Sequence, residues 1–389
     1  MTPIGSLTLP VKNWNPQKAD PDETFSYIDL SAVDQETKSI LGAKDTRCGD
    51  APSRARQLIK AGDVLVSTVR PNLNGVAPVT KGFDAATAST GFCVLRPNPE
   101  RIDGRFLMQW VKSPAFVADM TKMATGASYP AVSDRIINDS LIPLPASLEE
   151  QRRIADILDL ADSLSANRRA TLARLDEMPQ AIFIESFGDP IENPRRFPVQ
   201  ELIAIVDPRR PISYGILMPG PDQSDGVPYV RVVDMKDGGV RLSGIRKTTE
   251  SISNAFRRSL LKTGDLLMSI RGHVGRMAEV PPELDGANIT QDTARLAISG
   301  ASPIFVRECL RTVAFQRWMA KHTKGVAVQG INLGDIKRMP IILPPPKAQE
   351  HFVDQIRAVD AMRSLHREAI TQNGALFSAL QDRAFRGAL

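Results

Sequence analysis

The sequence predicts an α/β (α+β) chain: two similar mixed α/β domains separated by two long antiparallel helices forming a coiled coil, a pseudo-two-fold internal repeat. Three observations predict it. Ser147 to Gly188 reads as one amphipathic helix, with Ile154, Ile157, Ala161, Leu164, Leu175, Met178 and Ile182 recurring at steps of three and four. Lys347 to Leu389 reads as a second, carrying Val353, Ile356, Val359, Met362, Ile370, Phe377 and Leu380. The stretches before them share landmarks in one order, and the pairs 113/312, 126/325 and 145/344 have a single offset of 199 residues. The predicted boundaries are 1–146 for the first domain, 147–188 for the central helix, 189–345 for the second domain and 346–389 for the last helix.

The first domain opens with a short strand at Tyr27–Leu30. Gly62-Asp63 leads into an apolar strand, Val64–Val69, and a turn-rich loop, Arg70–Gly75. A strand at Gly91–Arg96 follows. Gly104–Ala124 is a helix with a break at Ser113-Pro114, then a loop at Gly126–Pro130 and a short strand at Ile142–Pro145. The second domain repeats the order. Pro228–Asp234 stands for the first strand, Gly264-Asp265 and Leu266–Ser269 for the apolar strand, and Arg271–Gly275 for the loop. Ala294–Ile298 is the next strand, Phe305–Met319 a helix, and Ile341–Pro344 the closing strand. Ser147 with Glu150 has capping-box spacing at the start of the first long helix, and Gly188 closes it. Roughly forty helical residues span about 60 Å, more than an ordinary core helix needs. Pro179 is expected to bend or break this helix. Ile154, Ile157, Leu164 and Leu175 on the first helix, and Val353, Ile356, Ile370 and Phe377 on the second, are the predicted seam.

Length and composition fit two or three domains with sizeable cores: 389 residues, 42% apolar and 24% charged. A net charge of +5 and pI near 9.1 lean mildly toward polyanionic partners. Cys48, Cys93 and Cys309 are odd in number and far apart, which predicts a reducing, cytoplasmic setting without disulfides. No leader peptide or membrane span is expected. Four histidines show no metal-ligand spacing with the cysteines.

Catalytic signatures are missing: no phosphate-binding loop, no dinucleotide fingerprint and no nucleophile–base pair that recurs in both copies. Asn193-Pro-Arg-Arg196 and Asp207-Pro-Arg-Arg210 lack the second proline and aromatic of a base-methylating turn, and Pro21-Asp22 with Glu36-Thr-Lys38 only imitates a nuclease metal site. No catalytic residue and no metal ligand is therefore assigned. A two-headed basic rod of this kind suits binding two similar but different targets at a fixed distance, and bipartite DNA is the natural candidate.

The run Ile142–Pro145, Glu150-Gln151-Arg-Arg-Ile154 and Gln180–Phe183 to Phe187-Gly-Asp-Pro190 resembles the specificity subunits of type I restriction-modification systems. Gly62-Asp63-Val-Leu, Gly264-Asp265-Leu-Leu and Leu343–Pro346 fit the same family, over essentially the whole chain. Gln349-Glu350 stands where Glu150-Gln151 would be repeated, a departure from the pattern. The resemblance implies two target-recognition domains that read the halves of a split, asymmetric double-stranded DNA site. It also implies a non-catalytic subunit whose helices dock two methyltransferase (modification) subunits, with motor-nuclease (restriction) subunits joining. No cofactor is then expected on this chain, and S-adenosylmethionine, ATP and Mg are expected on the partners. A methylation-only or other defence system, and a coiled-coil protein-binding scaffold, are the rival readings.

Base reading needs forked donors and acceptors on exposed loops. Arg70, Asn72 and Asn74, with Ser128 and Tyr129, are the candidates in the first copy. Arg271, His273 and Arg276, with Gln329 and Asn332, are those in the second. Arg54, Arg56, Arg257 and Arg258 precede matching strands and are candidates for phosphate contacts.

Overall fold

The computed structural model describes residues 1–325 and 329–389. The chain forms two compact units, residues 1–170 with 367–389, and residues 171–366. In the first, Phe92–Pro97 lies between Thr8–Leu9 and Val64–Ser67, and the latter pairs onward with Val76–Pro78, all antiparallel. The second unit repeats that order: Thr293–Leu296 lies between Ser213–Tyr214 and Leu266–Ser269, which pairs with Met277–Glu279. Each unit has a further sheet built on a parallel pair, Thr24–Ile28 with Thr87–Ser89 and Val227–Val230 with Asn288–Ile289. A small hairpin follows that pair's first strand in both, Val33–Asp34 with Ser39–Ile40 and Met235–Lys236 with Gly239–Val240. The units differ where the first has strand Ala55–Leu58. The corresponding stretch of the second carries a short helix, Glu250–Ala255, and a turn, Arg257–Ser259.

The Gly-Asp pairs have a shared structural role. The Asp63 carboxylate accepts from its own chain at Lys60 N (2.8 Å) and holds Arg96, whose guanidinium also donates to Leu58 O. Asp265 accepts from Lys262 N (2.7 Å) and holds Arg210, which donates to Leu260 O. Both carboxylates are buried, so each requires that partner, because an unpaired buried charge costs several kcal/mol (about 3–5). The arginine comes from a strand in one unit and from a loop in the other. The tight turn itself needs Gly62 and Gly264, both at positive φ.

The expected break at Ser113-Pro114 separates helix Gly104–Val111 from Pro114–Met123. The single helix expected over Phe305–Met319 is also two, Pro303–Arg311 and Val313–His322. Proline is not the cause in the second copy. Thr312 caps the new helix by accepting from Phe315 N at 3.3 Å, as Ser113 accepts from Phe116 N at 3.2 Å.

Both long helices are continuous, Leu148–Phe187 and Pro346–Phe385. The expected break at Pro179 is absent. Pro179 is buried in line with Leu175, Phe183 and Phe187, so packing along this row offsets the hydrogen bond that proline cannot make. Only half of the capping box forms: Ser147 Oγ accepts from Glu150 N, while the Glu150 carboxylate turns to Arg153. Gly188, at positive φ, ends the helix where a side chain would strike Pro194.

In the first unit Ile154, Ala155 and Leu158 share a core with Phe377, Leu380, Ala384 and Phe385. In the second, Phe183 and Phe187 share one with Phe352 and Ile356. The start of one long helix thus meets the end of the other in each unit, and the two run antiparallel there. Ile154, Leu175, Val353 and Ile356 are buried, and Ile157, Ile370 and Phe377 half-buried. Leu164 corrects the predicted seam: it is 48% exposed, and the inward position belongs to Ser165. Buried and half-buried positions 151, 158, 165, 172 and 179 follow a seven-residue repeat. Leu164 lies three residues and Ser165 four residues after Ala161, so steps of three and four admit both, and packing selects Ser165.

Each long helix is fastened to the domain helix of its unit by one buried glutamine. Gln151 Oε1 accepts from Asp103 N at 2.9 Å, and Gln349 Oε1 from Ser302 N at 3.1 Å, each at the N-cap of a domain helix. Gln151 and Gln349 are therefore equivalent, and the Glu-Gln against Gln-Glu departure is a one-residue shift in register. Phe106 packs on Phe385 at 5.4 Å between ring centres, and Phe305 on Phe187 at 5.2 Å. Trp110 is buried, while Trp318 is half-buried and stacked on His322.

Candidate nucleic-acid interface

The loops singled out in each copy converge. In the first unit Val69 bridges Ala131, and Arg70 N donates to Pro130 O at 2.7 Å. In the second, Arg271 bridges Gly330, and Gly272 N donates to Gln329 O at 3.0 Å. Next to these bonds, Val132 N reaches Thr68 O and Ile331 N reaches Ile270 O. The bonds are main-chain in both units, so they hold whatever side chains the loops carry.

This pairing shifts the expected alignment by one residue. Arg271 occupies the place of Val69, and Gly272 that of Arg70. Arg70 has φ of 50° and Gly272 of 70°, so the same left-handed turn is made by glycine in one unit and arginine in the other. Arginine there costs about 1–2 kcal/mol. Its guanidinium stacks 4.9 Å from the centre of the Tyr129 ring, and Tyr129 is 70% exposed. Asn72 and Ser128 are exposed nearby on the same two loops.

Asn74 is held inward: its amide donates to Lys112 O at 3.1 Å, at the end of the domain helix. The second unit makes this tether from the other side. Gln316, on helix Val313–His322, donates to Gly275 O at 3.2 Å and to Leu310 O at 2.9 Å. A Cβ at Gly275 would come within 3 Å of Gln316 and Met319, so the loop lies directly on that helix.

His273 and Arg276 are exposed. Arg276 Nη1 donates to Val232 O and Met235 O at 3.2 and 3.3 Å, tying the loop to the neighbouring hairpin. A cleft of about 620 Å3 lies between them, lined by Lys236, His273, Arg276 and Arg311 among others. Gln329 is exposed. Asn332 is an N-cap whose side-chain oxygen accepts from Asp335 N. The Arg338 guanidinium, first among several hydrogen bonds, holds the Asp335 carboxyl below the usual carboxylate range. Arg54, Arg257 and Arg258 are exposed, whereas Arg56 is half-buried and donates to Ala55 O. Arg54 O accepts from Thr90 N, and Gly91 O from Thr68 N, which links the Arg54 turn to the converged loops through main-chain bonds.

Lys38, named in the sequence only within a nuclease imitation, takes part in the loop face. Its ammonium, half-buried at the tip of the first hairpin, donates to Asn74 O at 2.6 Å. Burial, and then Lys112 nearby, push its pKa below the ordinary lysine value. Asp237 holds the matching hairpin tip, and both residues are at positive φ. Asp237-Gly-Gly239 is the turn signal of one hairpin, and Asp34, whose carboxylate accepts from Glu36 N and Thr37 N, is that of the other. Sequence reasoning missed a chain of buried and half-buried ion pairs in the second unit. Arg307 contacts Glu279, Glu308 and Asp360 at 3.1, 2.7 and 3.2 Å, and Asp360 accepts from Arg363 at 3.0 Å. Arg363 also pairs with Asp176.

Among the described residues no helix is long and apolar enough to cross a membrane. The chain matches the family described as type I restriction modification DNA specificity domain twice, over residues 40–176 and 220–372. It is 26% identical to the type I restriction enzyme EcoBI specificity subunit of Escherichia coli, covering 76% of this chain and 68% of that protein. It is 25% identical to the EcoKI specificity subunit of E. coli strain K12, over 77% and 68%. A solved chain from work on the complex assembly and conformational transition of the type I R-M system aligns over 100% of this chain and 97% of its own. Its TM-score is 0.66 and its identity 26%.

Proposed function

The chain belongs to the type I restriction-modification DNA specificity family, and from that premise we propose how its two units read DNA. It is the DNA sequence-recognition subunit of a type I restriction-modification system, and it is non-catalytic. Each unit addresses one half of a split, asymmetric double-stranded site through its two converged loops. The observation that carries this reading is the repeated main-chain bridge, Val69–Ala131 and Arg271–Gly330, which brings an exposed arginine to each pair of loops. An arginine fork matches guanine O6 and N7. Arg70 and Tyr129 are the readers in the first unit, with Asn72 and Ser128 beside them. Arg271, His273, Arg276 and Gln329 serve in the second. Asn74 and Asn332 hold loop geometry, and Arg54, Arg257 and Arg258 contact phosphates. The long helices set the spacing of the half-sites and dock two methyltransferase subunits, whose S-adenosylmethionine methylates adenine. Motor-nuclease subunits using ATP and Mg join that complex, in the cytoplasm.

Mapping adenine methylation across a host genome tests the assignment. Arg271→Ala is expected to relax one half of the split motif and leave the other intact. Equal loss at both halves, or an unchanged motif, would overturn the reading. Inserting one helical turn near Ala166 is expected to change the gap between the halves without changing either sequence.

A further inference from the structure

The loop face of the second unit holds an acid that recognition of a polyanion does not by itself explain. Asp292 follows strand Asn288–Ile289 and precedes Thr293–Leu296. Its carbonyl accepts from Ile270 N at 2.8 Å, which fixes its backbone one residue from the Arg271–Gly330 bridge. Its carboxylate lies 3.9 Å from Arg271 Nη1, with the two side chains 40% and 56% exposed. A carboxylate on a surface that meets phosphates weakens general attraction to DNA. Its placement is accounted for if it orders the arginine. A solvated arginine has rotamer entropy to lose on binding, and an anchor on one nitrogen removes part of that loss beforehand. The fork keeps donors free on its other edge, the number needed for guanine O6 and N7. The first unit has no acid there, since Thr90 and Gly91 fill the corresponding turn, and it steadies Arg70 with the Tyr129 ring instead.

We propose that Asp292 is a positioning residue for Arg271, anchoring one edge of the guanidinium so that the other addresses a guanine in the half-site read by the second unit. This rests on the assignment of Arg271 as a base reader. The two fail separately when Arg271→Ala and Asp292→Asn are compared in the full chain assembled with its methyltransferase partners. Asp292→Asn removes the charge and keeps the shape. Discrimination for guanine at one position of one half-site is expected to fall roughly five- to tenfold, the lower part of what a bidentate contact confers. Affinity for DNA lacking the site is expected to rise about two- to threefold, because one repulsive charge has gone. A merely structural acid would not move those two quantities in opposite directions. If Arg271→Ala relaxes the motif and Asp292→Asn leaves discrimination unchanged, the anchoring role is overturned and the reader assignment stands. If Arg271→Ala changes nothing, both are overturned. Equal loss of both half-sites in Asp292→Asn would place the acid in assembly and also overturn the proposal.

Discussion

Replacing Arg70 by glycine separates the chemistry of reading from the folding of the loop. Arg70 lies in the left-handed region at φ 50°, where the second unit has Gly272 at 70°. Glycine removes a backbone cost of about 1–2 kcal/mol. Against that, it adds about 0.5–1 kcal/mol of unfolded-state entropy. It also loses the stack on Tyr129, worth about 0.5–1 kcal/mol at an exposed site. The terms nearly cancel, so Arg70→Gly is expected to fold within about 1 kcal/mol of the parent. Arg70→Ala keeps the strain and loses the stack, so it should be the less stable of the two by several tenths of a kcal/mol or more. Recognition follows a different order. Both variants lack the fork, and each should lose about 1–3 kcal/mol of discrimination at one base pair, roughly 5- to 150-fold. Urea unfolding of the purified subunit gives the stabilities, and methylation mapping of the assembled complex gives the motif. Glycine destabilising by more than about 2 kcal/mol would refute the backbone argument. An unchanged motif in both variants would refute the reading role.

Gln151→Ala and Gln349→Ala should each lower stability by about 1–2 kcal/mol, since each leaves a half-buried backbone N–H without its partner, and unfolding curves of the two variants check it. Arg307→Ala should be costlier, about 3–5 kcal/mol, because Glu308 is fully buried and would keep, among the described residues, Arg311 alone; the same curves, set against Arg311→Ala, decide whether that buried charge is the cause. Burial pushes the Cys93 thiol up to about 12, so at pH 8 it is almost wholly protonated in the folded chain. Iodoacetamide should therefore leave Cys93 unmodified until the chain is unfolded, and mass spectrometry of native and urea-treated samples checks this.

The repeat was legible because its landmarks are main-chain events with side-chain signatures. Gly62-Asp63 and Gly264-Asp265 mark turns that need both a positive φ and a buried carboxylate. Positions set by a fraction of a helical turn were harder to read. Leu164 and Ser165 lie three and four residues after Ala161, so periodicity fits both and only packing decides which faces inward. The break at Thr312 was missed because a hydroxyl ends one helix and caps the next without proline. The loops were singled out one by one, and neither their meeting nor their register was legible in the sequence. Matching arginine to arginine aligned Arg271 with Arg70, whereas the backbone aligns Arg70 with Gly272. Lys38, Asp292 and Gln316 act through contacts with residues about 20–40 positions away, and no local pattern announces such contacts.

The two units divide their resemblance in a physically ordered way. Three buried polar features use the same chemistry in both: glutamine on the domain-helix N-cap, aspartate in the Gly-Asp turn, and a hydroxyl between paired helices. Each such group must keep a partner, so substitution is costly and the repeat retains it. Where the loops face solvent, the side chains differ throughout. The main-chain bridges beneath them are indifferent to what they carry, and most surface substitutions change stability by less than about 0.5 kcal/mol. Even the tether from loop to helix keeps its acceptor region while changing the side that supplies the amide, Asn74 from the loop and Gln316 from the helix. One backbone can therefore present different readers without being rebuilt. That is the property a chain needs if its two halves are to read different sequences from the same fold.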